Sequence, residues 1–169
     1  MKYFEHESAA TFDEAVSLLK ESPKGKTVVM AGGSDLIGVL KEQILEDYPE
    51  KVVDLKTVRG GEYIKQDGDT IEIGALTKLC DIVKSDLLNE KAPVLSQAAR
   101  SVATPLIRNV ATMGGNICQD VRCWFYRYPH GIGGRMDCMR KGGKECYAVM
   151  GDNRYHSIFG GMKVHTTPC

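Results

Sequence analysis

Residues 27 to 41 pass from a short β-rich run, Thr27-Val28-Val29-Met30-Ala31, through Gly32-Gly33-Ser34-Asp35 into the helical segment Leu36-Ile37-Gly38-Val39-Leu40-Lys41. A strand that turns through two glycines into a helix constrains the backbone strongly. Glycine permits a tight turn and lets another group approach the main chain closely. The first turn of a helix leaves amide N–H groups without intrahelical acceptors, a setting that suits phosphate. The same residues also describe a plain strand-to-helix turn capped by serine, so the loop alone leaves both readings open.

The surrounding pattern predicts an α+β lobe. Thr11-Phe12-Asp13-Glu14 reads as a capping box, with Ala15, Leu18 and Leu19 on an apolar stripe and Pro23 and Gly25 ending the helix. Strands are predicted at 51–55, 63–65 and 70–73, the last two joined by the hairpin signal Asp67-Gly68. Thr77 reads as the cap of a helix through Leu79, Ile82 and Val83, and a longer helix is predicted from Ala92 to Val102. Strands and helices mix without regular alternation, which is the α+β class rather than a doubly wound sheet.

Composition removes several function classes. A chain of 169 residues makes one ordinary domain or two small lobes and buries roughly 70% of its extended surface, so it folds without metal or disulfide. Its 22 basic and 22 acidic residues give no cationic excess for nucleic acid. No apolar run approaches the ~18 residues of a membrane span. Acidic residues stand in the N-terminal segment where a signal peptide has its apolar stretch. A cytoplasmic, reducing setting follows, in which the six cysteines read as free thiols or metal ligands.

A second glycine pair lies in Ile107-Arg108-Asn109-Val110-Ala111-Thr112-Met113-Gly114-Gly115-Asn116. Flanked by Thr112 and Asn116, it too reads as a place where backbone N–H groups and short polar side chains meet an anion. Two such loops can clamp the two phosphates of a dinucleotide.

With both loops in view, the sequence resembles a known family. Ala31-Gly32-Gly33-Ser34-Asp35-Leu36 resembles the AGGTDL loop of the FAD-binding subunits of the xanthine dehydrogenase and carbon monoxide dehydrogenase (molybdenum hydroxylase) family. Residues 107 to 116 resemble that family's IRNxATxGGN loop, and Ile73-Gly74-Ala75-Leu76-Thr77 resembles its IGA-x-T strand end. The three motifs fall in the family's order within residues 1 to about 120. The resemblance implies a two-lobed FAD fold, with residues 1–110 as the first lobe and 111–169 opening the second. It also implies that the C-terminal part of the fold is truncated, because family members continue beyond the point where this chain stops. It makes Ala31, Gly32, Gly33, Ser34, Asp35, Leu36, Thr112, Gly114, Gly115 and Asn116 cofactor contacts. Arg108 reads either as a phosphate partner or as one half of a salt bridge bracing the second loop.

Five cysteines, Cys118, Cys123, Cys138, Cys146 and Cys169, gather in the last third, while Cys80 stands apart. The spacing Cys123-x14-Cys138-x7-Cys146 is too wide for a simple zinc ribbon. Thiolates among turn-forming residues suit iron–sulfur or zinc chemistry, and unligated buried thiols give the same pattern. The resemblance favours ligation. Residues 118–156 are similar to an insert found in a subset of the family, such as 4-hydroxybenzoyl-CoA reductase and periplasmic aldehyde oxidoreductase flavin subunits, in which four cysteines bind a [4Fe–4S] cluster. Cys123, Cys138 and Cys146 match three of those positions. The fourth falls at Tyr155, or near Met162, so Cys118 or Cys169 stands in for it if any cysteine does. His156 and His165 read as metal ligands or as loop-holding residues.

The family resemblance implies an electron-transfer component of an oxidoreductase complex, carrying FAD and, through the insert, a [4Fe–4S] cluster. Its partners would be a molybdopterin-binding large subunit and a [2Fe–2S] subunit in a hetero-oligomer, with substrate chemistry on another polypeptide. No residue of the sequence reads as a catalytic acid, base or nucleophile. Two alternatives stay open: a flavin and iron–sulfur module of a nicotinamide-linked oxidoreductase, and a truncated, zinc-bound interaction domain without flavin.

Overall fold

The computed structural model describes residues 1–45, 47–129, 136–154, 156, 160–162 and 165–166. In chain order its elements are β1 (Glu5–Ser8), α1 (Phe12–Lys20), β2 (Thr27–Met30), α2 (Leu36–Lys41), β3 (Lys51–Asp54), β4 (Ile64–Asp67) and β5 (Thr70–Ile73). There follow α3 (Leu79–Lys84), α4 (Asp86–Lys91), α5 (Pro93–Ser101), α6 (Pro105–Arg108), α7 (Met113–Ile117), α8 (Tyr147–Met150), β6 (Gly160–Met162) and β7 (His165–Thr166). They form two compact units, one of residues 4–35 and 49–119, the other of residues 1–3, 36–48 and 120–169.

The first unit contains a parallel sheet of order β1-β3-β2. Val53 of the central strand pairs with Glu7 on one side and Val29 on the other. α1 begins with the first half of the capping box, the Thr11 hydroxyl accepting from the Glu14 amide at 3.1 Å, while the Glu14 carboxylate reaches one residue further back and accepts from the Ala10 amide at 2.6 Å rather than from that of Thr11. The helix buries Ala15 against Val53, Val58 and Leu76 in the core beside the sheet. β1 carries the polar sequence Glu-His-Glu-Ser and has no apolar alternation, so the hydrophobic pattern does not announce it.

A second core in this unit lies between the β4–β5 hairpin and the helices. Leu79, Ile82, Leu88, Ala99 and Ala111 pack with Ile64, Ile71 and Ile73. Full burial of each large aliphatic side chain here contributes about 1.5–3 kcal/mol. The hairpin pairs Asp67 with Thr70 across Gly68-Asp69, with Gly68 in the left-handed region at φ 56°. Its first strand runs from Ile64 to Asp67, slightly beyond the predicted 63–65.

One helix prediction is corrected, and one helix is added to those predicted. Thr77 does not cap α3, whose N-cap is Lys78 without a side-chain bond. The Thr77 hydroxyl instead accepts from the Tyr63 amide at 3.0 Å and donates to the Tyr63 carbonyl at 2.9 Å, joining the hairpin to the following turn. The helix predicted from Ala92 to Val102 is present as α5, Pro93–Ser101, with Ala92 and Val102 as its caps. It is preceded by a separate helix, α4, because Ser85 caps a new first turn and Pro93 can begin a helix but not continue one.

In the second unit α2 matches the predicted segment, and its Val39 and nearby Ile44 join Cys123, Tyr126, Cys138 and Ala148 in one apolar cluster. β6 and β7 pair antiparallel with an irregular register. Among the described residues no helix is long and apolar enough to cross a membrane.

Candidate functional site

The first glycine loop leaves the sheet at the end of β2. The Leu55 amide donates to the Met30 carbonyl at 2.8 Å, so the pairing of β2 with the chain after β3 stops just before Ala31. Ala31 packs on the core beside Val53 and Leu76. Gly33 then takes φ 69°, a conformation that glycine adopts without the clash an L side chain meets. The amides of Gly32, Gly33 and Ser34 have no hydrogen-bond acceptor among the described residues. They are half-buried to exposed N–H donors ahead of α2.

The second glycine segment is built differently. Thr112 is a buried N-cap whose hydroxyl accepts from the Gly115 amide at 3.2 Å, and Met113-Gly114-Gly115-Asn116-Ile117 forms the short helix α7. Its other leading amides are also committed. Met113 donates to the Thr77 carbonyl at 2.8 Å, Gly114 to the Ala75 carbonyl at 2.8 Å, and Asn116 to the Thr112 carbonyl at 2.9 Å. The second loop therefore does not offer the open backbone donors expected of it, because the turn at 75–77 and the Thr112 cap already use them. Its glycines serve close packing: a β-carbon on Gly114 would lie 2.9 Å from the Ala75 carbonyl oxygen.

That turn is the Ile73-Gly74-Ala75-Leu76-Thr77 motif, which forms the shelf beneath α7. It is itself tightly seated, since a β-carbon on Gly74 would lie 2.3 Å from the Gly61 carbonyl oxygen. The two glycine segments also meet directly. A β-carbon on Gly32 would lie 1.9 Å from the Val110 carbonyl oxygen and 2.6 Å from its carbonyl carbon. Sequence reasoning missed Val110 and Gly61, neither of which carries a chemical signal. Arg108 makes no ion pair among the described residues; its Nη1 donates to the carbonyls of Val102 at 2.7 Å and Ala103 at 3.1 Å. The expected salt bridge is not among the described contacts; Arg108 instead ties the turn between α5 and α6 through that turn's carbonyls.

In the second unit the structure brings the three candidate cysteines into one apolar cluster. Cys123 and Cys138 are buried, and Cys146 packs against them half-buried. The Cys138–Cys146 stretch is a tight loop: the amides of Lys141 and Gly143 donate to the Cys138 carbonyl at 2.8 and 2.9 Å, and Met139 donates to the Glu145 carbonyl at 2.8 Å. Gly142 turns it at φ 82°. Lys141 is 5% exposed and reaches the Tyr128 carbonyl at 3.2 Å, a buried cation in the same unit as the thiols. Tyr126 donates to the Asp120 carboxylate, and burial, followed by that hydrogen bond, pushes its phenol well above the usual tyrosine range.

His156 stands with its Nε2 3.2 Å from the Cys123 sulfur, and its buried Nδ1 has no hydrogen-bond partner among the described residues. Among the described residues no three histidine, cysteine or acidic side chains converge on a single ion. Soft thiols in an apolar pocket suit iron–sulfur or zinc chemistry, and Cys123, Cys138 and Cys146 would supply three of the four thiolates that a [4Fe–4S] cluster takes. Cys118 is exposed, and Cys80 lies in the first unit, where burial raises its thiol pKa. Tyr155 and Cys169 lie outside the described residues, as does the side chain of His165.

A parallel strand opening into a glycine turn with uncommitted amides, closed by a second glycine segment, is the construction of a nucleotide-cofactor domain. The chain belongs to the family described as the FAD binding domain in molybdopterin dehydrogenase, whose model matches residues 2–123. It is 34% identical over 117 residues to the nicotinate dehydrogenase FAD-subunit of Eubacterium barkeri, covering 69% of this chain and 39% of the relative. It is 29% identical over 161 residues to the aldehyde oxidoreductase FAD-binding subunit PaoB of Escherichia coli, covering 95% of this chain and 48% of that protein. The solved carbon monoxide dehydrogenase of Hydrogenophaga pseudoflava superposes with a TM-score of 0.65 at 31% identity, over 69% of this chain and 39% of that one. The fold is therefore the expected α+β FAD-binding fold. The chain spans less than half the length of these relatives.

Proposed function

We propose that this chain holds FAD as the electron-transfer component of a molybdenum hydroxylase-type oxidoreductase. The observation that carries the reading is the trio of open amides at Gly32, Gly33 and Ser34, on a glycine turn whose inner side is closed by Val110. Those donors suit the FAD pyrophosphate, with Ala31, Asp35 and Leu36 flanking them. Thr112, Gly114, Gly115 and Asn116 supply the rigid opposite wall, with Gly115 its exposed residue. On this reading residues 1–110 form the first flavin lobe and 111–169 begin the second.

When bound, FAD supplies a junction between one-electron and two-electron carriers. The chain's own residues hold it and shield one side of it; no acid or base among them is needed. The partners consistent with this role are a molybdopterin-binding large subunit and a [2Fe–2S] subunit in a cytoplasmic hetero-oligomer, where substrate chemistry takes place.

The cysteine unit extends the reading. Cys123, Cys138 and Cys146 are the chain's ligands for an iron–sulfur cluster of the [4Fe–4S] type. Their common cluster and the relative whose aligned span continues through this segment support it.

The test is the visible spectrum and metal content of protein purified without oxygen. Flavin bands with a broad iron–sulfur shoulder support both halves of the reading. Flavin without iron leaves only the first half, and a colourless protein overturns the proposal for this chain.

A further inference from the structure

Ala103 adopts φ 44°, in the left-handed region that L residues with a β-carbon rarely occupy. It lies between the end of α5 and Thr104, the cap of α6. Val102 is the C-cap of α5, and its carbonyl has no intrahelical donor. Here the Val102 and Ala103 carbonyls both receive one guanidinium nitrogen of Arg108, at 2.7 and 3.1 Å. Arg108 is itself anchored, its amide donating to the Thr104 carbonyl at 3.0 Å. The side chain thus closes a ring over the strained residue with charge-assisted hydrogen bonds.

Only Asn109 separates Arg108 from Val110. From there the chain has little slack: the Ala111 amide donates to the Ile107 carbonyl at 2.8 Å, and the Ala111 carbonyl accepts from Leu79 at 2.9 Å. Any movement of α6 is passed to the Val110 carbonyl that faces Gly32.

We infer that Arg108 is a positioning residue of the flavin site, locking Ala103 in its left-handed turn and so fixing where Val110 meets Gly32. The inference rests on the reading that the two glycine segments hold FAD. It assigns Arg108 no contact with phosphate.

The test combines Arg108→Ala with Ala103→Gly, because glycine takes the left-handed turn without a brace. Flavin affinity and amide hydrogen exchange at Leu79 and Ala111 are read on the full chain. Arg108→Ala alone is expected to weaken FAD by about ten-fold and to speed both amides, and adding Ala103→Gly is expected to restore most of each loss. If Arg108→Ala does not fold, Arg108→Lys, which loses the planar fork, is expected to show a smaller loss with the same rescue. Weakened FAD with no rescue and unchanged exchange would mean that Arg108 meets the phosphates directly, which overturns the inference. Unchanged affinity and exchange in Arg108→Ala overturn it as well. Exchange that responds and is rescued in a chain that never binds flavin would sustain the brace and defeat the flavin reading instead.

Discussion

The carbonyl oxygen of Val110 stands 1.9 Å from the point a β-carbon of Gly32 would occupy. No side chain fits there, since both groups are main chain and neither can rotate away. Gly32→Ala must therefore push the two glycine segments apart, at a cost of about 1–3 kcal/mol for forced overpacking. The expected result is a chain that folds with reduced stability and does not retain FAD, read as the flavin-to-protein absorbance ratio. Gly38→Ala is the matched control. Nothing lies within 4 Å of its β-carbon position, and inside α2 alanine is favoured by roughly 0.5–1 kcal/mol. That variant should keep its flavin and melt slightly higher.

Gly33 is constrained by backbone angle. At φ 69° a β-branched residue is strongly disfavoured, whereas asparagine tolerates the left-handed region. Gly33→Val is expected to abolish flavin retention, and Gly33→Asn to preserve much of it. Equal flavin content in Gly33→Val and wild-type protein would remove this turn from the site.

Much of this arrangement was legible in the sequence, and the part that was not has a common cause. The strand before Gly32, the helix after it and the hairpin around Gly68 follow from local residue preferences, so periodicity and turn chemistry suffice for them. Residues 107–116 are different. Nothing local reveals that the amides of Met113 and Gly114 are already spent on the carbonyls of Thr77 and Ala75, because those acceptors arrive from a distant turn. Thr77 misled for the same reason: as a local signal it is a helix cap, yet its hydroxyl bonds to Tyr63 across the hairpin. β1 escaped notice because an edge strand of Glu, His, Glu and Ser is held by pairing with β3 rather than by an apolar face.

The capping box at Thr11 offers a control for general stability. Its hydroxyl accepts from the Glu14 amide, so Thr11→Ala leaves that donor unsatisfied in the helix. The loss should be about 1 kcal/mol in urea unfolding. Flavin content should not change, and a chain that lost flavin here would show that simple destabilisation, not site geometry, empties the pocket.

The contact between His156 and Cys123 makes the iron–sulfur reading testable beyond metal content. With Nε2 at 3.2 Å from the sulfur, an N–H at that atom donates to a ligating thiolate. Hydrogen bonds to ligand sulfurs stabilise the more negative, reduced form of a cluster and so raise its potential. Cys123→Ser and Cys138→Ser remove buried ligands and are expected to lose most iron and acid-labile sulfide. His156→Leu removes only the donor. It should keep iron while its midpoint potential falls, as followed by redox titration with electron paramagnetic resonance. Loss of iron in His156→Leu equal to that in Cys123→Ser would make the imidazole a ligand in its own right. An unchanged potential would leave the contact without a role in tuning, and a wild-type protein without iron would withdraw the cluster from this segment altogether.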